Sequence, residues 1–74
     1  MSTNPVIVRN VTWTPDPDGE YGCHTAEYKG HRLEVNSDKD GDNWAYVVDD
    51  GETRWIEDSG MFGAMLAAMR DAEG

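Results

Sequence analysis

Residues 31–48 read HRLEVNSDKDGDNWAYVV, and two folds compete for them. The centre, Asn36 to Gly41, has acid or amide side chains at alternate positions and then glycine, which is how a calcium-binding EF-hand loop opens. That loop needs a bidentate glutamate at its twelfth position, where this chain has Val47. Its eighth position, normally apolar, is Asn43. The motif also needs helices on both sides. Here Leu33 and Val35 alternate with Arg32 and Glu34, and WAYVV (44–48) is β-branched and aromatic. Both are marks of strands with one buried face. The stretch therefore reads as strand, wide connection, strand. Weak cation binding by the loop is compatible with that reading, but a tight calcium site is not.

Working outward, CHTAEY (23–28) is separated from HRLEV (31–35) by Lys29-Gly30, a spacing that suits a tight hairpin. On the other side, TRWIE (53–57) follows WAYVV through DDGE, where Asp50-Gly51 is a strong turn signal. VIVRNVTW (6–13) reads as one further strand. TPDPDGEYG (14–22), with its prolines and glycines, reads as a loop.

The C-terminus changes period. In SGMFGAMLAAMRDAEG (59–74), Phe62, Met65, Leu66 and Met69 fall at i, i+3, i+4 and i+7, one stripe of an α-helix. Asp58 or Ser59 can cap its start, while Gly60 and Gly63 weaken the first turn by about 1 kcal/mol each relative to alanine. So short a helix must pack to be stable. The expected fold class is α+β: an antiparallel β-meander of four to five strands with one C-terminal α-helix packed on a face, in a single domain over residues 1–74.

Size and composition bound the function. A chain of 74 residues buries only about 60% of the surface that it exposes when unfolded, so the core is thin. No stretch approaches the roughly 18 apolar residues of a membrane span, and MSTNPVIVRN lacks the pattern of a signal peptide. The one cysteine, Cys23, leaves no internal disulfide and suits a reducing, cytoplasmic setting. Fifteen acids against six bases give a formal net charge of −9. Such a chain is repelled by nucleic acid and by anionic membrane, so direct binding to either is not expected. Basic partners and cations are what its field attracts.

Motifs for site chemistry are missing. Cys23, His24 and His31 lack the paired spacing and the fourth ligand of a zinc site, although the hairpin around Lys29-Gly30 is expected to bring the two histidines fairly close. Cys23 and His24 are neighbours on a strand and point to opposite faces, so one cannot readily activate the other. No glycine-rich loop links a strand to a helix, and the carboxylates lie in hydrophilic loops rather than in a pocket that would raise a pKa. No enzyme, metal or cofactor is expected. Trp13, Trp44 and Trp55 serve the core first, and one left at the surface would be a candidate partner anchor.

The acids are grouped. In an up-and-down meander alternate loops emerge at one end of the sheet. Asp16, Asp18 and Glu20 follow the first strand, Asp38, Asp40 and Asp42 the third, and Glu57 and Asp58 the fifth. These eight acids would share one end with a single base, Lys39. Two clusters place acids at i, i+2 and i+4, roughly 6.5 Å apart in extended chain, an interval close to that of phosphates along a nucleic-acid strand. Solubility and weak metal binding also produce such loops, and a high-salt host would favour acids for solvation alone.

In size, in charge, in the want of catalytic motifs and in the run EYKGHRLEVNSDKDGDNWAYVVDDGE (27–52), the chain resembles the small acidic inhibitors of phages and mobile elements. Among these it most resembles anti-CRISPR proteins of the DNA-mimicking kind that act on type I surveillance complexes, type I-C included. The resemblance implies an inhibitor that binds the basic DNA-binding subunit of a Cas complex and blocks target DNA recognition. Asp38, Asp40 and Asp42 would meet the basic side chains, helped by Asp16, Asp18, Glu20, Glu57 and Asp58, with Trp44 as an apolar anchor. The alternative is a small protein-interaction or accessory domain that is acidic for solubility and recognises its partner through apolar surface.

Overall fold

A computed structural model describes residues 5–19, 21–57 and 60–74. Six strands, β1 (Val6–Val8), β2 (Val11–Pro15), β3 (His24–Tyr28), β4 (His31–Ser37), β5 (Trp44–Val48) and β6 (Arg54–Ile56), precede one helix, α1 (Gly60–Glu73). The strands lie in chain order in one sheet, and each neighbouring pair is antiparallel. The class is α+β and the sheet is a meander, with six strands where four to five were expected.

The extra strand comes from VIVRNVTW, which folds back on itself. Arg9 and Asn10 both take positive φ, 51° and 67°, and Val8 pairs directly with Val11. This is the backbone of a two-residue hairpin turn whose twist matches that of the strands. Apolar burial supplies the reason. In one continuous strand Val6 and Val8 would face away from Val11 and Trp13. The hairpin puts all four on one side, where Val8 and Trp13 are buried and Val6 and Val11 pack against them.

Two further tight turns lie at the same end of the sheet. Lys29-Gly30 forms the expected hairpin, with φ of 52° and 81° and Tyr28 paired with His31. Between β5 and β6 the left-handed pair is Asp49-Asp50, φ 53° and 57°, closed by the Gly51 N–H donating to the Val48 carbonyl at 3.0 Å. The turn thus sits one residue earlier than Asp50-Gly51. Asp49 is held there by its neighbours: its carboxylate accepts the Arg32 N–H at 2.9 Å and meets His31 Nδ1 at 2.7 Å. Aspartate tolerates the left-handed region better than most residues.

Helix α1 packs mainly on β4 and β5, with a lesser contact to β1. Trp13, Leu33 and Val35 from the sheet meet Ala64, Met65, Ala68 and Met69 from the helix, all buried. Met61 and Ala72 extend the same stripe at its two ends. Met65 and Met69 are core as expected, but Phe62 and Leu66 are not: they are 56% and 38% exposed. The stripe is turned toward the alanines, because a helix lying across a sheet approaches more closely on small side chains. Gly60, at φ +66°, starts the helix in a conformation that only glycine adopts without strain. The proposed caps Asp58 and Ser59 lie outside the described residues. Among those residues no helix is long and apolar enough to cross a membrane.

Trp13 is fully buried, and its indole N–H has no hydrogen-bond partner among the described residues. An unmet donor of this kind costs about 1–3 kcal/mol, a notable burden on a thin core. The helix register gives a direct check by urea denaturation. Met65→Ala should destabilise the fold by about 2–5 kcal/mol, while Phe62→Ala should change it by no more than about 0.5 kcal/mol. Comparable destabilisation by both changes would mean that the stripe is the one read from sequence, with Phe62 in the core beside Met65.

Candidate functional site: an acidic end of the sheet

Six antiparallel strands alternate their connections between two ends. The three tight turns occupy one end. The β2–β3 loop, the β4–β5 loop and the exit from β6 occupy the other. Splitting the first strand adds a turn to the opposite end, so the expected grouping of acids survives the change in strand number. Asp16, Asp18, Asp38, Asp40, Asp42 and Glu57 belong to the loop end, with Lys39 as its base. Glu20 and Asp58 lie outside the described residues.

The bases are concentrated elsewhere. The ion pairs of the described residues are Lys29–Glu73 at 3.3 Å, His31–Asp49 at 2.7 Å and Arg54–Asp71 at 3.6 Å. All three tie the tight-turn end of the sheet to itself or to the end of α1. All of them are well exposed, and exposed pairs contribute little to stability. Their effect on charge is larger: they leave the loop end unneutralised.

Two carboxylates at that end organise their own loops. Asp38 Oδ1 accepts N–H groups from Asp42 at 3.0 Å and Asn43 at 3.4 Å, and Oδ2 accepts Asn43 Nδ2 at 2.8 Å. The Asp38 N–H in turn donates to the Asn43 carbonyl at 3.0 Å. The Asn43 side chain does most to lower the Asp38 pKa; burial opposes it, and the backbone N–H groups of Asn43, Asp42 and Gly41 each add a lesser lowering. Asp16 does similar work, with Oδ1 accepting the Asp18 N–H at 3.0 Å. By contrast Asp18, Asp40, Asp42 and Glu57 have exposed residues and make no ion pair within the described residues.

The loops are also fastened to each other. The Tyr21 carbonyl accepts the Ser37 N–H at 2.7 Å and the Ser37 hydroxyl at 3.2 Å, joining the β2–β3 loop to the end of β4. A side chain on Gly22 would come within 2.7 Å of the Trp44 ring, and Gly22 has φ +63°. Trp44 is half-buried and packs against the core, so it serves as the wedge between the loops and offers little free surface as an anchor. The exposed indole is that of Trp55, at 57%. In TRWIE, Trp55 and Ile56 are adjacent and only one can face α1. Ile56 does, paired with Trp44, and Trp55 is paired with Ala45 on the other face.

The other sequence-based candidates are separated. His24 stands opposite Val35 and His31 opposite Tyr28, which puts them about 13 Å apart along the hairpin rather than close. His24 Nδ1 is engaged with the Gly22 carbonyl at 2.8 Å, and Cys23 is buried. Among the described residues no three His, Cys, Asp or Glu side chains are grouped so as to hold a metal ion. Comparisons with protein-family models, curated proteins and solved structures find no match.

The Asp38 hydrogen bonds imply a pH effect of definite sign. A carboxyl whose pKa is lower in the folded chain stabilises the fold above its ordinary value of 3.8 and loses that contribution as pH falls through the lower folded value. Asp38→Asn should therefore unfold at lower urea than the parent at pH 7. The gap should narrow as pH is taken below 3.8. A gap of equal size at pH 7 and at acid pH would show that the Asp38 charge contributes nothing to loop order.

Proposed function

We infer that this chain is a binding protein, not an enzyme, whose acidic loop end occupies a basic nucleic-acid-binding surface. The observation that carries the reading is the division of charge between the two ends of the sheet. Six described acids share the loop end with one lysine, while the ion pairs sit at the opposite end. Solubility alone does not call for such polarity, and like charges held close together oppose folding. With the resemblance in size and charge, the target that fits best is the basic DNA-binding subunit of a type I CRISPR-Cas surveillance complex, type I-C foremost, met in the cytoplasm. DNA access would be blocked by charge mimicry, with Asp18, Asp40, Asp42 and Glu57 facing the lysines and arginines that otherwise hold phosphates.

The exposed Trp55, Phe62 and Leu66 favour a second reading, an interaction domain that recognises its partner through apolar surface and is acidic for solubility. The two readings differ in their response to salt, because screening acts on exposed charges.

Titrating the protein into a type I-C surveillance complex carrying labelled target DNA, at two salt concentrations, tests the first. Displacement should weaken at the higher salt. It should be lost when Asp18, Asp40 and Asp42 are all changed to lysine, with thermal unfolding little altered. Asp38 is left out of that set because it holds its loop together. Displacement indifferent to both salt and charge reversal would favour the apolar reading. No displacement at either salt would remove this target.

A further inference from the structure

The face of the sheet away from α1 carries two exposed aromatic side chains at its acidic end. Trp55 and Tyr21 are each 57% exposed, and they line one depression together with Asn36 and Asp38. Trp55 and Asp38 also border an adjoining depression that includes Glu57. Ala45, which is flanked by Trp55 on one side and Asn36 on the other, is fully buried although it faces away from the helix. A tryptophan that flanks a covered alanine and is still more than half exposed lies along the sheet with part of its ring open.

An open indole beside carboxylates is a surface of defined chemistry. The ring face attracts a cation, and a carboxylate accepts paired N–H groups from a planar guanidinium. The net charge of −9 disfavours a nucleotide, whose phosphate would be repelled. A neutral sugar would leave the carboxylates unused. Of the two basic side chains, arginine is flat, stacks on aromatic rings and sheds water more readily than the ammonium of lysine.

We propose that the depression between Trp55 and Glu57, next to the one that Trp55 shares with Tyr21, seats one arginine side chain of the basic partner, stacked on the Trp55 indole and paired with Glu57. This rests on the acidic-end reading above and adds to it a point of residue specificity. Asp38 contributes a fixed charge at the edge, since its oxygens are already engaged within the loop. Lys39 lines the adjoining depression on the Tyr21 side of Trp55 and opposes a cation nearby, so its removal should help.

The test needs no knowledge of the natural partner. An oligo-arginine peptide and an oligo-lysine peptide of equal length are titrated at low salt into the isotope-labelled protein, and the three indole N–H signals are followed by NMR. The Trp55 signal, assigned from its loss in Trp55→Ala, should move with the arginine peptide. That peptide should bind roughly fivefold more tightly than the lysine peptide, in keeping with an exposed cation–π contact. Trp55→Ala and, independently, Glu57→Gln should each remove this preference, and Lys39→Ala should strengthen arginine binding. Glu57→Gln guards against loss of fold as the cause, and the remaining amide signals report the fold of both variants directly. Equal binding of the two peptides, unchanged by Trp55→Ala, would overturn the arginine seat and leave the acidic-end reading standing. If neither peptide bound at low salt, both would fall. Binding of the arginine peptide that moved the amides of Asp40 and Asp42 but not the Trp55 indole would likewise overturn the seat alone.

Discussion

Three two-residue turns at one end of the sheet constrain the rest of the molecule. Each forces two successive residues into the left-handed region, at Arg9-Asn10, Lys29-Gly30 and Asp49-Asp50; the first two reverse the chain with no residue to spare, and the third opens a connection of five residues. Because side chains alternate along a strand, a short turn also fixes which residues face the helix. With Val8 opposite Val11 and Tyr28 opposite His31, the larger apolar side chains of β1 to β4, Ile7 excepted, gather on one face. There α1 can cover them with two methionines and two alanines. A slip of one residue at any of these turns would turn that strand's apolar set toward water. Tight turns at one end also require that the longer connections emerge at the other.

That geometry sorts the charges. The lysines and arginines of the chain are few, and all but Lys39 fall in or near the tight-turn half, where Lys29 and Arg54 find acidic partners on α1 and His31 finds one on the turn after β5. Such exposed pairs add little stability. They do cancel charge locally, so the field of the molecule is carried by the loop end. A net charge spread evenly would make this protein soluble. Separated in this way, it can orient the protein toward a basic surface before contact.

Much of this was legible in the sequence. The alternation in HRLEV, the Lys29-Gly30 turn and the helical period after Gly60 fix class, order and the end to which each acidic loop belongs. What was missed shares one physical cause: local pattern leaves open the phase in which an apolar pair is buried. VIVRNVTW is rich enough in β-branched residues to pass as one strand. The change of apolar parity between Val6, Val8 and Val11, Trp13 is the sign of the hairpin within it, and Asn10 supplies a residue that accepts positive φ. In TRWIE either Trp55 or Ile56 could face the core, and only the pairing with β5 decides. Phe62 and Leu66 fit a helical stripe as well as Met61 and Ala64 do. The choice between them depends on how closely the helix can approach β4 and β5, which the tertiary structure alone reveals.

The acidic loops divide their carboxylates into those that hold the backbone and those left exposed, a division that suits the proposed recognition of a basic surface. Asp38 and Asp16 turn inward and accept backbone N–H groups, as residues that favour turns commonly do. Had every acid in these loops been free, mutual repulsion would spread the loops, and a partner would have to order them on binding. With Asp38 and Asp16 holding the backbone, and with Ser37 tied to Tyr21, the spacing of Asp18, Asp40 and Asp42 is set before contact. Preorganisation of this sort raises affinity by lowering what binding must order. The same hydrogen bonds offset part of the repulsion that crowded acids impose on a thin core. In these loops the carboxylates that hold the backbone and those left exposed are different residues, so a change of charge at Asp18, Asp40 and Asp42 spares the side-chain hydrogen bonds that order the loops.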